Sequence, residues 1–308
     1  MNVTPGVIPT AVALLPDAHG TPLLSVQGLS KHFPIYSSGI RRRVSGLTKA
    51  VDDISFELAE GEALGLVGES GCGKTTMARC ILRAFLPTAG AVFFRLPDGR
   101  VVDMARLSDR ELKPIRRHAQ MVFQDPYSSL NPRMTVRDIV GEPLVIHDLA
   151  RGFELDDRVS EILARVGLKP DHRSRYPHAF SGGQRQRIGI ARALILRPSL
   201  LVCDEATSAL DVSVQAQVLD LLQELQRDFR LTYLFVAHNL DVVRGFCNRV
   251  AVMRQGRIVE VAPTEDIFQS PRHPYTKILL SAVPSPDPDV PMNFKIGEEL
   301  AKLDALST

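Results

Sequence analysis

The densest chemistry in the sequence lies in Gly68-Glu69-Ser70-Gly71-Cys72-Gly73-Lys74-Thr75, which fits the pattern GxxxxGK[ST]. Glycines at these spacings let successive backbone N–H groups turn inward without a clashing Cβ, forming a concave nest for anions at the start of a helix. In such a nest Lys74 reaches the β and γ phosphates of a nucleoside triphosphate, and the Thr75 hydroxyl gives an oxygen to Mg²⁺. The plain alternative is a glycine-rich turn before an ordinary helix. A second constellation is the apolar run Leu200-Leu201-Val202-Cys203, which ends in Asp204-Glu205. Adjacent carboxylates at a strand end project in opposite directions, so one can hold a hydrated Mg²⁺ while the other faces an attacking water. By itself the pair reads equally well as a solvated strand end.

Elements must hold these groups in place, and the sequence supplies a regular alternation of them. The run Glu62 to Val67 reads as a strand, the glycine loop follows, and Lys74 to Phe85 reads as a helix, which is the opening of a βαβ unit. Further strands are predicted over Val51 to Leu58, Ala119 to Gln124, Leu200 to Asp204, Leu231 to Ala237, Val250 to Met253 and Arg257 to Val261. Helices are predicted over Asp156 to Val166, Gln184 to Leu196, Val214 to Phe229 and Leu240 to Phe246. Such alternation argues for a largely parallel sheet covered on both faces. The stretch Pro132 to Pro177 has no good strand and reads as an inserted helical subdomain, and a proline-rich extension runs from Pro271 to Pro291.

Composition bounds the rest. The 308 residues are 44% hydrophobic and 23% charged with a net charge of +2, an ordinary globular chain with no field strong enough to select nucleic acid or anionic lipid. No run approaches the roughly 18 apolar residues of a membrane helix. The apolar start around Val7 to Leu15 is broken by Pro5, Pro9 and Pro16 and lacks a basic lead, so it reads as a loose tail and not as a signal peptide. The four cysteines show no CxxC pairing and read as reduced thiols.

Phe180-Ser181-Gly182-Gly183-Gln184 resembles the signature loop of ABC transporter ATPases. Gln124 matches that family's Q-loop, Ser208-Ala209-Leu210-Asp211 its D-loop and His238 its switch histidine, and with the glycine loop and the acidic pair they run in the family's order. The resemblance implies an α/β P-loop NTPase of the ABC ATPase type: a mostly parallel core sheet, an antiparallel β subdomain and an inserted helical subdomain. It implies a tail over 1–22, an ATPase domain over 23–262 with the helical subdomain at about 132–180, and an extension over 263–308. Its cofactors would be ATP and Mg²⁺. ATP would contact Gly68, Glu69, Ser70, Gly71, Cys72, Gly73, Lys74, Thr75 and Thr76, while Ser181, Gly182, Gly183, Gln184 and Asp211 would reach the nucleotide held by a second ATPase. Thr75, Gln124 and Asp204 would bind the metal. Glu205, His238, Gln124 and Lys74 would be catalytic, with Glu205 as general base and His238 as γ-phosphate sensor. Adenine would stack on Phe33 or on Tyr36.

Val122-Phe123-Gln124-Asp125-Pro126-Tyr127-Ser128-Ser129-Leu130-Asn131-Pro132 and His273-Pro274-Tyr275-Thr276 resemble, more narrowly, the oligopeptide, dipeptide and nickel importers, in the form of the second of their two ATPases. This likeness implies two membrane permeases, a paralogous ATPase or a second copy, and an extracytoplasmic solute-binding protein, with the chain at the cytoplasmic face of the inner membrane. No nucleic acid is expected. The alternative is a soluble ABC-type ATPase acting on nucleic acid or ribosomes, but such proteins usually carry two cassettes or a long coiled coil, and this chain has one glycine loop and no sustained heptads. Two departures stand out: Ala206-Thr207 follows Glu205 where proline and a small residue are more usual, and Asn239 stands where aspartate is common. No cysteine follows Cys247, so no iron–sulfur centre is expected in the extension. Cys72 lies within the loop, so its alkylation is expected to block ATP.

Overall fold

The computed structural model describes residues 21–36, 43–125, 128–208 and 210–282. A long antiparallel hairpin comes first, β1 (Leu24–Tyr36) and β2 (Val44–Leu58), then β3 (Ala63–Val67), α1 (Lys74–Ile81), β4 (Ala89–Arg95), β5 (Val101–Asp103), α2 (Asp109–Arg116) and β6 (Ala119–Val122). Three helices, α3 (Val136–Ile146), α4 (Gly152–Arg165) and α5 (Gly182–Leu194), separate β6 from β7 (Leu200–Asp204). Then come α6 (Val212–Phe229), β8 (Thr232–Val236), α7 (Leu240–Phe246), β9 (Arg249–Arg254), β10 (Arg257–Pro263), α8 (Thr264–Gln269) and α9 (Pro274–Ser281).

The strands form two sheets. An antiparallel one runs β2-β1-β4-β5, and a six-stranded one runs β10-β9-β3-β8-β7-β6 and is parallel except where β10 pairs with β9. This is the α/β architecture expected from the sequence. The strands β3, β7 and β8 are buried along their whole length, which is why they read as unbroken apolar runs. Alternate residues serve different cores. Leu64, Leu66, Val202 and Leu234 face one built with β1, β2, β4 and α1, whereas Leu201, Cys203, Tyr233 and Phe235 face one built with α3 to α7.

Several elements depart from the sequence reading, β4, β5 and α8 among them, for which no strand or helix was predicted. The helix after the glycine loop stops at Ile81, not Phe85. Arg83 turns left-handed at φ 56°, and the N–H groups of Ala84 and Phe85 both return to the Arg79 carbonyl, at 2.8 and 3.1 Å. The strand expected from Val51 starts at Val44, because its first half pairs with the distal half of β1. Helix α2 was not expected, although Ser108 and Glu111 form its capping box and the Ser-x-x-Glu signal is present in the sequence. The proline-rich extension begins with a helix, α9, in which Pro274 takes the first position and His273 Nδ1 accepts the Tyr275 N–H at 3.1 Å. The predicted tail up to Gly20, Pro126 and Tyr127 of the importer-like run, Ala209 and the extension beyond Ala282 lie outside the described residues.

Candidate functional site

The residues singled out for chemistry collect at one edge of the parallel sheet. The glycine loop leaves the end of β3, His238 lies just past β8, Asp204 ends β7 with Glu205 next after it, and Gln124 lies just past β6. In space these four strands are neighbours in the order β3-β8-β7-β6, so their carboxyl ends form one crevice.

The loop is a nest that its neighbours press from behind. Gly68 and Gly73 have φ of 151° and 110°, and a Cβ on either would sit 2.1 Å from the Met253 carbonyl oxygen or 2.0 Å from that of Ala50. A Cβ on Gly71 would meet nothing within 4 Å, which marks the open side of the cradle. The Lys74 ammonium, 5% exposed, donates to the carbonyls of Gly68 at 2.7 Å and Glu69 at 2.8 Å. Next to it, Thr75 Oγ1 donates to Asp204 Oδ1 at 2.9 Å. Burial pushes the Asp204 carboxyl above its ordinary value, opposed by that hydroxyl. A hydroxyl and a carboxylate in contact, both hard oxygens, beside a nest with an open face, fit a small divalent cation accompanying a polyphosphate. Cys72 is buried, and burial raises its thiol although Lys74 lies close by.

Glu205 is held by its backbone in an unusual conformation. Its φ is 48°, its N–H donates to the Val236 carbonyl at 2.9 Å, and its own carbonyl accepts from Ser208 N at 3.0 Å and Ser208 Oγ at 2.9 Å. These three bonds over-determine a left-handed residue that would otherwise cost about 1 kcal/mol or more. Its Oε2 accepts from Gln124 Nε2 at 2.7 Å and lies 3.4 Å from His238 Nδ1. The amide, the carboxylate and the imidazole therefore form one cluster, with the Glu205 side chain 19% exposed and reachable by water. Both departures noted in the sequence are accommodated locally. Buried Thr207 accepts from Gln215 Nε2 of α6 at 3.1 Å, and Asn239 caps α7 by accepting the Asp241 N–H at 2.9 Å.

The remaining predicted residues occupy other elements. Ser181 caps α5, with Gln184 closing a capping box, and the hydrogen bonds of both are local. A Cβ on Gly183 would lie 2.4 Å from Val214 Cγ1, so the starts of α5 and α6 touch at this glycine. Asp211 caps α6 by accepting from Val214 N at 2.9 Å and Ser213 Oγ at 2.7 Å. Phe33 meets Phe85 edge-on at 6.0 Å, and Arg79 of α1 lies over Phe85, whereas Tyr36 is 53% exposed at the end of the hairpin. Two residues were not foreseen as part of the site. Arg192 of α5 donates to the Ser129 carbonyl at 2.7 Å and lies over the Phe123 ring, so it grips both flanks of Gln124. Tyr275 of α9 accepts the Glu69 N–H at 3.1 Å, and its only sequence signal was the His-Pro-Tyr-Thr run.

A phosphate nest after one parallel strand and an acidic pair two strands away is the arrangement of P-loop nucleotide hydrolases. The pattern of the ABC transporter family matches residues 51–208, and that of the oligopeptide/dipeptide transporter C-terminal region matches residues 259–308. The chain is 51% identical over 263 residues to the oligopeptide transport ATP-binding protein AppF of Bacillus subtilis, covering 85% of this chain and 78% of that one. It is 52% identical over 272 residues to OppF, a protein of the same description in that bacterium, covering 88% of this chain and 85% of that one. The solved dimer of the ATP-binding cassette MJ0796 in a post-hydrolysis state, bound to ADP and Pi, matches with a TM-score of 0.66 at 29% identity over 78% of this chain and 98% of that one. The chain belongs to the ABC transporter family.

Proposed function

We propose that the chain is the ATP-hydrolysing subunit of an importer for peptides. The observation that carries this reading is the double cluster at the sheet edge, Thr75 with Asp204 and Gln124 with Glu205 and His238, in a chain about half identical to oligopeptide transport ATP-binding proteins. The N–H groups of Gly71 to Thr76 and the Lys74 ammonium hold the β and γ phosphates. Thr75, Asp204 and Gln124 would hold Mg²⁺, which would supply positive charge to offset that of the transferring phosphoryl group. Glu205 accepts the proton of the attacking water, its carboxylate kept at the crevice by the left-handed backbone and by the Gln124 amide. His238, beside that carboxylate, senses the γ-phosphate. Phe33, joined to α1 through Phe85, is the ring for adenine.

Ser181, Gly182, Gly183, Gln184 and Asp211 sit at two touching helix starts and act on the nucleotide of a second cassette, either a paralogue or another copy. Two permeases and a solute-binding protein complete the machine. Among the described residues no helix is long and apolar enough to cross a membrane. On this reading the permeases hold the subunit at the cytoplasmic face.

The test is ATP turnover in the assembled transporter with and without peptide-loaded solute-binding protein, for the wild type and Glu205→Gln. Peptide should stimulate the wild type, and the variant should bind ATP yet hydrolyse it at least ~100-fold more slowly. Indifference to peptide would refute the cargo, and near wild-type turnover in the variant would refute Glu205 as base.

A further inference from the structure

The His-Pro-Tyr-Thr run lies far along the chain from every residue with a catalytic assignment, yet it ends at the phosphate loop. The Tyr275 ring is 1% exposed, packs in the core shared with the helices and has the Arg254 guanidinium 5.1 Å above it. A phenylalanine would fill that core equally well, and a buried hydroxyl costs free energy unless it is bonded. Here it accepts the backbone N–H of Glu69 at 3.1 Å.

The Gly68 carbonyl and the Glu69 N–H belong to the same trans peptide, so they point in opposite directions. Lys74 Nζ grips the carbonyl side at 2.7 Å, and Tyr275 holds the amide side. One peptide plane at the mouth of the nest is thus clamped between the nucleotide lysine and the C-terminal helix. That helix is itself anchored. The Glu260 carboxylate on β10 accepts from the N–H groups of Arg272 at 2.9 Å and His273 at 3.0 Å and from Thr276 Oγ1 at 2.5 Å, fixing the start of α9 and with it the aim of Tyr275.

We infer that Tyr275 is a positioning residue for nucleotide binding, its hydroxyl tethering the Glu69 amide so that the C-terminal helix orders the phosphate loop. The inference rests on the reading of this loop as the ATP site. When phosphates draw Lys74 away from the Gly68 carbonyl, Tyr275 is the group that still prevents the peptide from rotating. A loop already ordered loses less freedom on binding, so the tether raises affinity without touching the reacting atoms.

Tyr275→Phe in the full chain tests this through titration with a fluorescent ATP analogue and Mg²⁺, steady-state hydrolysis, and thermal melting without nucleotide. The expected result is a Kd and a KM raised about fivefold with kcat within about twofold, the pattern of lost uniform binding worth one ordinary hydrogen bond. A lower melting temperature with unchanged Kd and KM would overturn the inference, since the hydroxyl would then serve stability alone. If the wild type itself fails to bind the analogue, the reading of the loop as an ATP site falls, and the tether with it. Amide exchange in the wild type is a check that needs no variant. The Glu69 amide, on an exposed residue, should exchange slowly through its bond to Tyr275, and exchange at the rate of a free loop would also overturn the proposal.

Discussion

At the scale of single residues, the groups read from sequence are those whose chemistry demands a fixed type at a fixed spacing. A nest must have glycines where carbonyls press on it, and Gly68 and Gly73 are pressed at about 2 Å, so the loop could be recognised before any fold was known. Glu205 and Asp204 were legible as a pair, but the left-handed backbone at Glu205 was not, because no residue type advertises it. Tyr275 and Arg192 escaped for a different reason: each acts through a partner distant in sequence, and neither sits in a spacing that their chemistry requires. Cys72 carries a prediction about rate. Only the thiolate is alkylated, and burial pushes this thiol up, so N-ethylmaleimide should react slowly near pH 7 and faster by up to about tenfold per pH unit as the pH rises toward the thiol's own value. ATP with Mg²⁺ should slow it further. Fast labelling at pH 7, unaffected by nucleotide, would contradict both the burial and the site.

At the scale of elements, the fully buried strands were read almost to the residue, because apolar runs flanked by polar turns leave little freedom in where a strand ends. Leu200 to Asp204 forms as read, and the strand around Tyr233 loses only its terminal residues. Helix ends were less legible, since they depend on caps and on what the next segment packs against. The last predicted turn of α1 is given up where Arg83 reverses, and this brings Phe85 onto Phe33. Asp211 illustrates how a cap can be tested. The Val214 N–H, then the Ser213 hydroxyl, hold its carboxyl below the ordinary value, so its contribution to α6 is present above the unfolded value and is lost as pH falls through the lowered one. The gap in melting temperature between the wild type and Asp211→Ala should therefore narrow from pH 6 toward pH 3. A gap that is constant across that range would show that the charge of Asp211 does not support the helix.

At the scale of the whole molecule, the sheet order matters more than the chain order. The chain visits β3, β6, β7 and β8 in that sequence, whereas in space they run β3-β8-β7-β6, so the candidate site is assembled from segments spread between Gly68 and His238. The predicted alternation of strands and helices indicated a parallel sheet but could not order its strands, because parallel pairing leaves no local turn signal in the sequence. On the proposed function each chain carries half of each of two sites. The Glu205→Gln chain should therefore shift from monomer to dimer with ATP in light scattering, in company with its paralogue if it does not self-associate, and ADP should not support the shift. A chain that stays monomeric under both conditions would refute the shared site.

The contact between Tyr275 and Glu69 also has a temporal side. It joins residues 206 positions apart, and chains are made from the amino end, with early parts folding first. A nascent chain that has left the ribosome as far as the end of β8 already contains the nest and the acidic pair, but the group that steadies the nest has still to be synthesised. On the tether inferred above, tight nucleotide capture waits until synthesis has passed Tyr275, long after the nest itself has been made.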